Sequence, residues 1–157
     1  METADRIGFS TDEITTSEPT RNARLKWVVI VDASLPAGRQ VNAAVCVAAA
    51  TTIEVSGLLG PAGRDADGTN HPGLPWAGCT ILAATAEQLL SIRERAAMAE
   101  GMSITDMPAA AQESRVYDDY LDLLSCTALV DSAPLALSLV GPRRDVDRLV
   151  RKLGLLP

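Results

Sequence analysis

The most constraining stretch of the chain is Trp27-Val28-Val29-Ile30-Val31, an unbroken apolar run in which every residue after the tryptophan is β-branched. A run without the alternation of a half-exposed strand predicts a central strand covered on both faces. Such a strand needs helices on either side of its sheet, and the rest of the sequence supplies them. Asp32-Ala33-Ser34 ends the run and Leu35-Pro36-Ala37-Gly38 makes a turn. Arg39 to Ala50 follows as a helix of small residues, suited to pressing closely on that sheet.

The alternation then continues. A second short strand is expected from Ile53 to Leu59, and another from Cys79 to Ala83. Thr85-Ala86-Glu87-Gln88 has the spacing of a capping box, with Leu89, Ile92 and Ala96 as the apolar stripe of the helix it opens. Gly101 stops that helix. Met102 to Met107 reads as a strand, and Pro108 opens a helix to about Leu124, with Val116, Tyr120, Leu121 and Leu124 inward. A last strand, Leu135 to Val140, leads through Gly141-Pro142 into a closing helix. This order predicts a three-layer α/β/α sandwich around a mixed, mainly parallel sheet of four or five strands. Residues 1–24 are polar and acidic without apolar period and are expected to form a disordered tail. That leaves 25–157 as a single domain.

Composition narrows the function. The net charge is 14 − 20 = −6 with aromatics at 3%, which argues against polyanion attraction and against base-stacking modules. No apolar run reaches the roughly 18 residues of a membrane span. The start lacks the apolar core of a secretory signal, so a cytoplasmic protein is expected. Cys46, Cys79 and Cys126 are too far apart for a C-x-x-C pair, and apolar neighbours predict small buried thiols.

In an open α/β sheet, ligands sit beyond the carboxyl ends of the strands, which points to Asp32–Arg39, Asp106–Gln112 and the turn at Gly141–Arg144. Arg39 at a helix start can clamp a phosphate or carboxylate beside free backbone N–H groups. Asn42 lies one turn on, along the same face. The chain carries neither G-x-x-x-x-G-K-[ST] nor a G-x-G-x-x-G after its first strand, so no familiar phosphate loop is present. The loop 60–76 is rich in Gly and Pro and holds the only histidine, His71. Asp65, Asp67 and His71 lack the further ligands of a calcium loop, so a solvated Asp67-Gly68 turn is expected and no metal. His71 is a candidate general base. The last helix is locally basic, with Arg143, Arg144, Arg148, Arg151 and Lys152 against Asp145 and Asp147. Such a face is either solvated or set against a nucleic-acid backbone.

Several separated motifs now occur in one order: WVVIVDASLPAG, Asn42-Ala43-Ala44, the Asp67-Gly68 to His71-Pro72-Gly73 loop, Ala111-Gln112, and LVGPRRDVDRLVRKLGLL. Over about residues 26 to 157 they resemble the bacterial domain-of-unknown-function 2000 family. That family is similar in fold to the type II peptidyl-tRNA hydrolases, which cleave the ester between a peptide and its tRNA without a metal. The hydrolase pattern G-K-G-K-φ-A-A-Q, with φ apolar, falls on Gly38 to Val45. It places Arg39 at the first lysine, Val41 at the second and Val45 at the glutamine. The D-A-G-x-T of the hydrolases has its counterpart in Asp106 to Gln112, without the glycine and threonine.

The resemblance implies a cofactor-free hydrolase or acyl transferase acting on an aminoacyl- or peptidyl-tRNA. Gly38, Arg39, Asn42 and Gln112 would bind the ligand, and His71, Asp32 and Asp106 would handle protons. The alternative is a non-catalytic module that uses the same crevice for a small acyl ligand or a protein. Partners on these readings are tRNA or an acyl compound and a second copy of the chain, with no membrane.

Overall fold

The computed structural model describes residues 6–157. The elements are β1 (Leu25–Asp32), α1 (Ala37–Glu54), β2 (Gly63–Arg64), β3 (Asn70–His71), β4 (Thr80–Ala84), α2 (Ala86–Ala97), β5 (Ser103–Pro108), α3 (Ala109–Glu113), α4 (Tyr117–Ser125), β6 (Pro134–Pro142), α5 (Arg143–Val150) and β7 (Gly154–Leu155). β1 is buried at every position but Lys26, as an uninterrupted apolar run requires. Its side chains alternate between two cores. Trp27, Val29 and Val31 pack beneath α1. Val28 and Ile30 pack with Leu89, Ile92 and Ala96 of α2 and Val146 and Val150 of α5. Helices therefore cover both faces of an α/β domain.

The five-stranded sheet has the order β5-β6-β1-β4-β7. Only β1 and β4 run parallel, and β6 lies antiparallel to both β1 and β5. The expected mainly parallel sheet is thus replaced by a mainly antiparallel mixed one. After β5, the chain stays at one end of the sheet through α3 and α4, so β6 must return in the opposite sense. β7 pairs with β4 over two residues at the far edge.

Other expectations also change. α1 continues to Glu54, and in place of a strand at Ile53–Leu59 there are only isolated bridges, Gly8 with Ser56 and Leu59 with Pro75. The helix expected from Pro108 to Leu124 breaks at Ser114-Arg115-Val116 into α3 and α4. Val116, Leu121 and Leu124 are exposed rather than inward. The capping box at Thr85 forms as expected, with the Gln88 N–H donating to Thr85 Oγ1 and the Thr85 N–H donating to Gln88 Oε1.

Residues 6–24 are not the disordered tail expected, while residues 1–5 of that tail lie outside the described residues. Phe9 is 5% exposed and meets Trp76 edge to face with ring centroids 4.8 Å apart. Gly8 pairs with Ser56 so closely that a Cβ on it would lie 2.7 Å from the Ser56 carbonyl oxygen. Arg24 pairs with Glu13, and Arg143 donates to the carbonyls of Thr20 and Ala23. Three apolar side chains, Ile7, Phe9 and Ile14, are enough to dock this polar arm on the core beneath α1. The same core holds one buried polar cluster. Trp27 Nε1 donates to Ser138 Oγ at 2.8 Å, and the Thr51 hydroxyl lies 2.7 Å from the same oxygen.

Candidate functional site: the crevice between α1 and α3

Val31 of β1 and Met107 of β5 both face Ala136 of β6, so the carboxyl ends of β1 and β5 lie at one end of the sheet. α1 starts there after the first, and α3 after the second. Pro36 precedes α1 and offers no side-chain cap; its carbonyl accepts from the Arg39 and Gln40 N–H groups, leaving those of Ala37 and Gly38 for solvent or a ligand. Across the gap, Arg39 Nε donates to Gln112 Oε1 at 2.7 Å. Gln112 Nε2 donates to the Arg39 carbonyl at 2.9 Å and to Asn42 Oδ1 at 3.0 Å. These three residues, 73 and 70 positions apart in pairs, form one hydrogen-bonded cluster that fixes the glutamine amide. Gly38 stands exposed in the first turn with open space around it.

Beside the cluster runs a groove of about 540 Å³ between α1, β5 and the α3–α4 corner. Cys46, Ala49 and Ala50 form its α1 wall, and Tyr117 and Tyr120 the other. Arg39, Asn42, Cys46 and Ala50 follow one another at helical spacing, so polar head and apolar groove share one face of α1. Burial, then Tyr117 and Asp106, raises the Tyr120 hydroxyl above its ordinary pKa.

A family model described as a protein of unknown function, DUF2000, matches residues 25–157. The chain belongs to the DUF2000 family. Among solved structures, it is similar to a protein of unknown function from Agrobacterium tumefaciens strain C58. The TM-score is 0.77 at 16% identity, over 84% of this chain and 97% of that one. At that identity the likeness shows a shared fold. No curated protein matches the chain.

The remaining residues singled out in this DUF2000 chain have partners of their own. Asp32 is buried, and its Oδ1 accepts from the N–H and hydroxyl of Ser34, closing the turn after β1. Asp106 lies in register with Leu137 of β6, pairs with Arg93 of α2 at 2.6 Å, and also lines the groove near Tyr120. His71 Nε2 lies 3.2 Å from Asp65 Oδ2 on the exposed β2–β3 hairpin. Its contact and the Thr69 N–H hold the Asp65 carboxyl below the usual range. The hairpin turns at Asp67-Gly68, with Gly68 at φ +84°, as the sequence predicts. None of the three proton-handling candidates hydrogen-bonds to Arg39, Asn42 or Gln112. Among the described residues, no His, Cys, Asp and Glu side chains group as a metal site, and no helix is long and apolar enough to cross a membrane.

Because β6 is antiparallel, the Gly141–Arg144 turn lies at the opposite end of the sheet, beside Leu25 and Lys26. There Arg143 holds the N-terminal arm, Arg148 pairs with Asp145, and Asp147 pairs with Lys26 of β1. Cys46 and Cys126 are exposed, contrary to the expected buried thiols. Cys79 is half-buried, and burial pushes its thiol up to about 12. The groove tyrosines were missed because α4 was expected to face inward. Their signal was that both tyrosines of the chain stand three apart on one acidic helix.

Proposed function

We propose that this domain is a small-ligand-binding module of the type II peptidyl-tRNA hydrolase kind, whose crevice takes an acyl compound with an anionic head. The observation that supports it is the single α1 face joining Arg39 and Asn42, tied to Gln112, to an apolar groove walled by Cys46, Ala50 and the two tyrosines. A carboxylate or phosphate would displace the Gln112 amide from Arg39, or bind the guanidinium edge left free beside it, near the positive end of α1. The acyl part would lie along the groove, where apolar contact rather than hydrogen bonding selects it.

Hydrolysis or transfer of an acyl group from an aminoacyl- or peptidyl-tRNA is the second reading. It is favoured by Arg39, a cation at the place of the first lysine of the hydrolase pattern. Against it stand the separate pairings of Asp32 with Ser34, Asp106 with Arg93 and His71 with Asp65, which hold each candidate base on a partner of its own.

Titration of the labelled protein with N-acetyl-amino acids of increasing side-chain size, followed by amide NMR, tests the first reading. Shifts should centre on α1 and α3, strengthen with apolar size, and weaken about tenfold or more in Arg39→Ala, the loss of one charge-assisted contact. Absence of shifts at saturating ligand would overturn it. Release of N-acetyl-amino acid from its tRNA ester by wild type, lost in Arg39→Ala, would put the second reading in its place.

A further inference from the structure

A local reversal of charge lies on the other face of the sheet, between α2 and α5. A groove of about 650 Å³ runs there, and four of the residues lining it are cations: Arg95 of α2, Arg148 of α5, and Arg151 and Lys152 of the turn that follows. Glu87 is the one carboxylate among them. The chain as a whole carries −6, so this is a positive concavity on a negative protein. Arg148, Arg151 and Lys152 stand at i, i+3 and i+4 and share one side of the helix end. Cations in the last turn of a helix ordinarily answer its own open carbonyls. Here Arg95 reaches across from α2 and donates from Nη2 to the Leu149 carbonyl at 3.3 Å, which ties the two helices together at the groove. Arg148 meets Asp145 only at 3.5 Å and stays 64% exposed. Arg151 and Lys152 have no carboxylate partner among the described residues. Like charges gathered in a cleft with apolar walls reinforce one another's field, and an anion inside relieves their repulsion. The floor is apolar: Ile92 is buried, and Leu149 and Leu153 are half-buried.

We propose that this groove binds a small diphosphate ester of an apolar alcohol, with Arg148, Arg151 and Lys152 on its phosphates and the organic part against Ile92, Leu149 and Leu153. Two linked phosphates suit cations delivered from separate positions along a helix end, where a single carboxylate would engage one fork. The volume falls within the ~300–1,000 Å³ of small-ligand clefts and leaves room for more than the head group. A long nucleic-acid backbone is the poorer match, because beyond the groove it meets a protein of net negative charge. The site lies across the sheet from the α1–α3 crevice, goes beyond the reading given to that crevice and does not depend on it.

Amide NMR of the labelled full chain, titrated with inorganic pyrophosphate in metal-free buffer of low salt, tests the head-group contacts. Shifts should centre on residues 87–95 and 148–153 and saturate by about 10 mM, tenfold above a millimolar dissociation constant. Orthophosphate, which meets fewer of the cations, should bind about two- to fivefold more weakly. Arg151→Ala and Lys152→Ala should each weaken pyrophosphate by about the same factor. Glu87→Gln should tighten it, a gain that a misfolded variant could not give. Hexyl diphosphate should bind at least about fourfold more tightly than methyl diphosphate, the gain from burying one or more methylenes. No shift at that concentration overturns the proposal, as do shifts centred on α1 and α3, equal affinity for orthophosphate, or equal affinity for the two esters. Tighter binding of a single-stranded oligonucleotide than of hexyl diphosphate would overturn it in favour of a nucleic-acid site.

Discussion

The two faces of the sheet are closed in different ways. On one, α2 and α5 each turn an apolar stripe inward and charge outward: Leu89, Ile92 and Ala96 are buried while Glu94 and Arg95 face the solvent side. That face is finished by its own helices. On the other, a single helix covers the sheet with three buried residues, and closure needs the docked arm with Phe9 and the loop residues Val55 and Leu58. The outer side of α1 is left apolar and uncharged. The same five strands thus carry one face closed by helices with charged outer sides and another closed by a helix whose outer side is apolar, and the candidate crevice lies on the second.

The largest effect expected from this contrast is in the closed face. Leu89→Ala should cost about 2–5 kcal/mol in urea unfolding, because Leu89 is fully buried beneath α2. Val45→Ala, at a position 61% exposed, should stay within about 0.5 kcal/mol. Equal losses would break the distinction between inner and outer apolar residues. On the α1 side, Ser138→Ala should cost about 1–3 kcal/mol, since it leaves the Trp27 indole N–H buried without its acceptor. A neutral result would mean that the α1 face repacks more freely than the other.

The smallest effect concerns the arm. The Arg24 guanidinium and, after it, the Ser10 N–H lower the Glu13 carboxyl from 4.5 to about 2. A depressed carboxylate contributes fully above its ordinary value and loses that contribution as pH falls towards the folded one. Undocking should therefore advance between about pH 4.5 and 2, followed by tryptophan emission as Phe9 leaves Trp76. Glu13→Gln should show no such transition.

The strands and helices were largely legible because burial imposes period and caps impose spacing. Trp27 to Val31, the Thr85 box and the stripe of α2 each carry their structure locally. Strand direction was not legible. Leu135 to Val140 is buried on both faces, and such a run reads alike in either sense. The arm was missed for a related reason, since Ile7, Phe9 and Ile14 dock one at a time and leave no period. In the crevice, the sequence singled out Arg39, Asn42 and Gln112, and only the fold could join them. It also turned Asp106 to Arg93 of α2, which leaves it outside that hydrogen-bonded cluster although it lines the same groove. The break between α3 and α4, which aims Tyr117 and Tyr120 at the groove, has no proline or glycine to announce it.

The bonds from Arg143 to Thr20 and Ala23 have a consequence for how the protein is made. Arg143 follows Ala23 by 120 residues, about 6 to 24 s of translation. The arm and β1 emerge from the ribosome long before β6 and Arg143 exist to hold them. During that interval Trp27 to Val31 have no antiparallel neighbour, and β4 is the one strand of the sheet already made that can pair with them. The start of the last helix is thus the latch on the arm that precedes β1, and the arm is held from both sides only once β6 has been made.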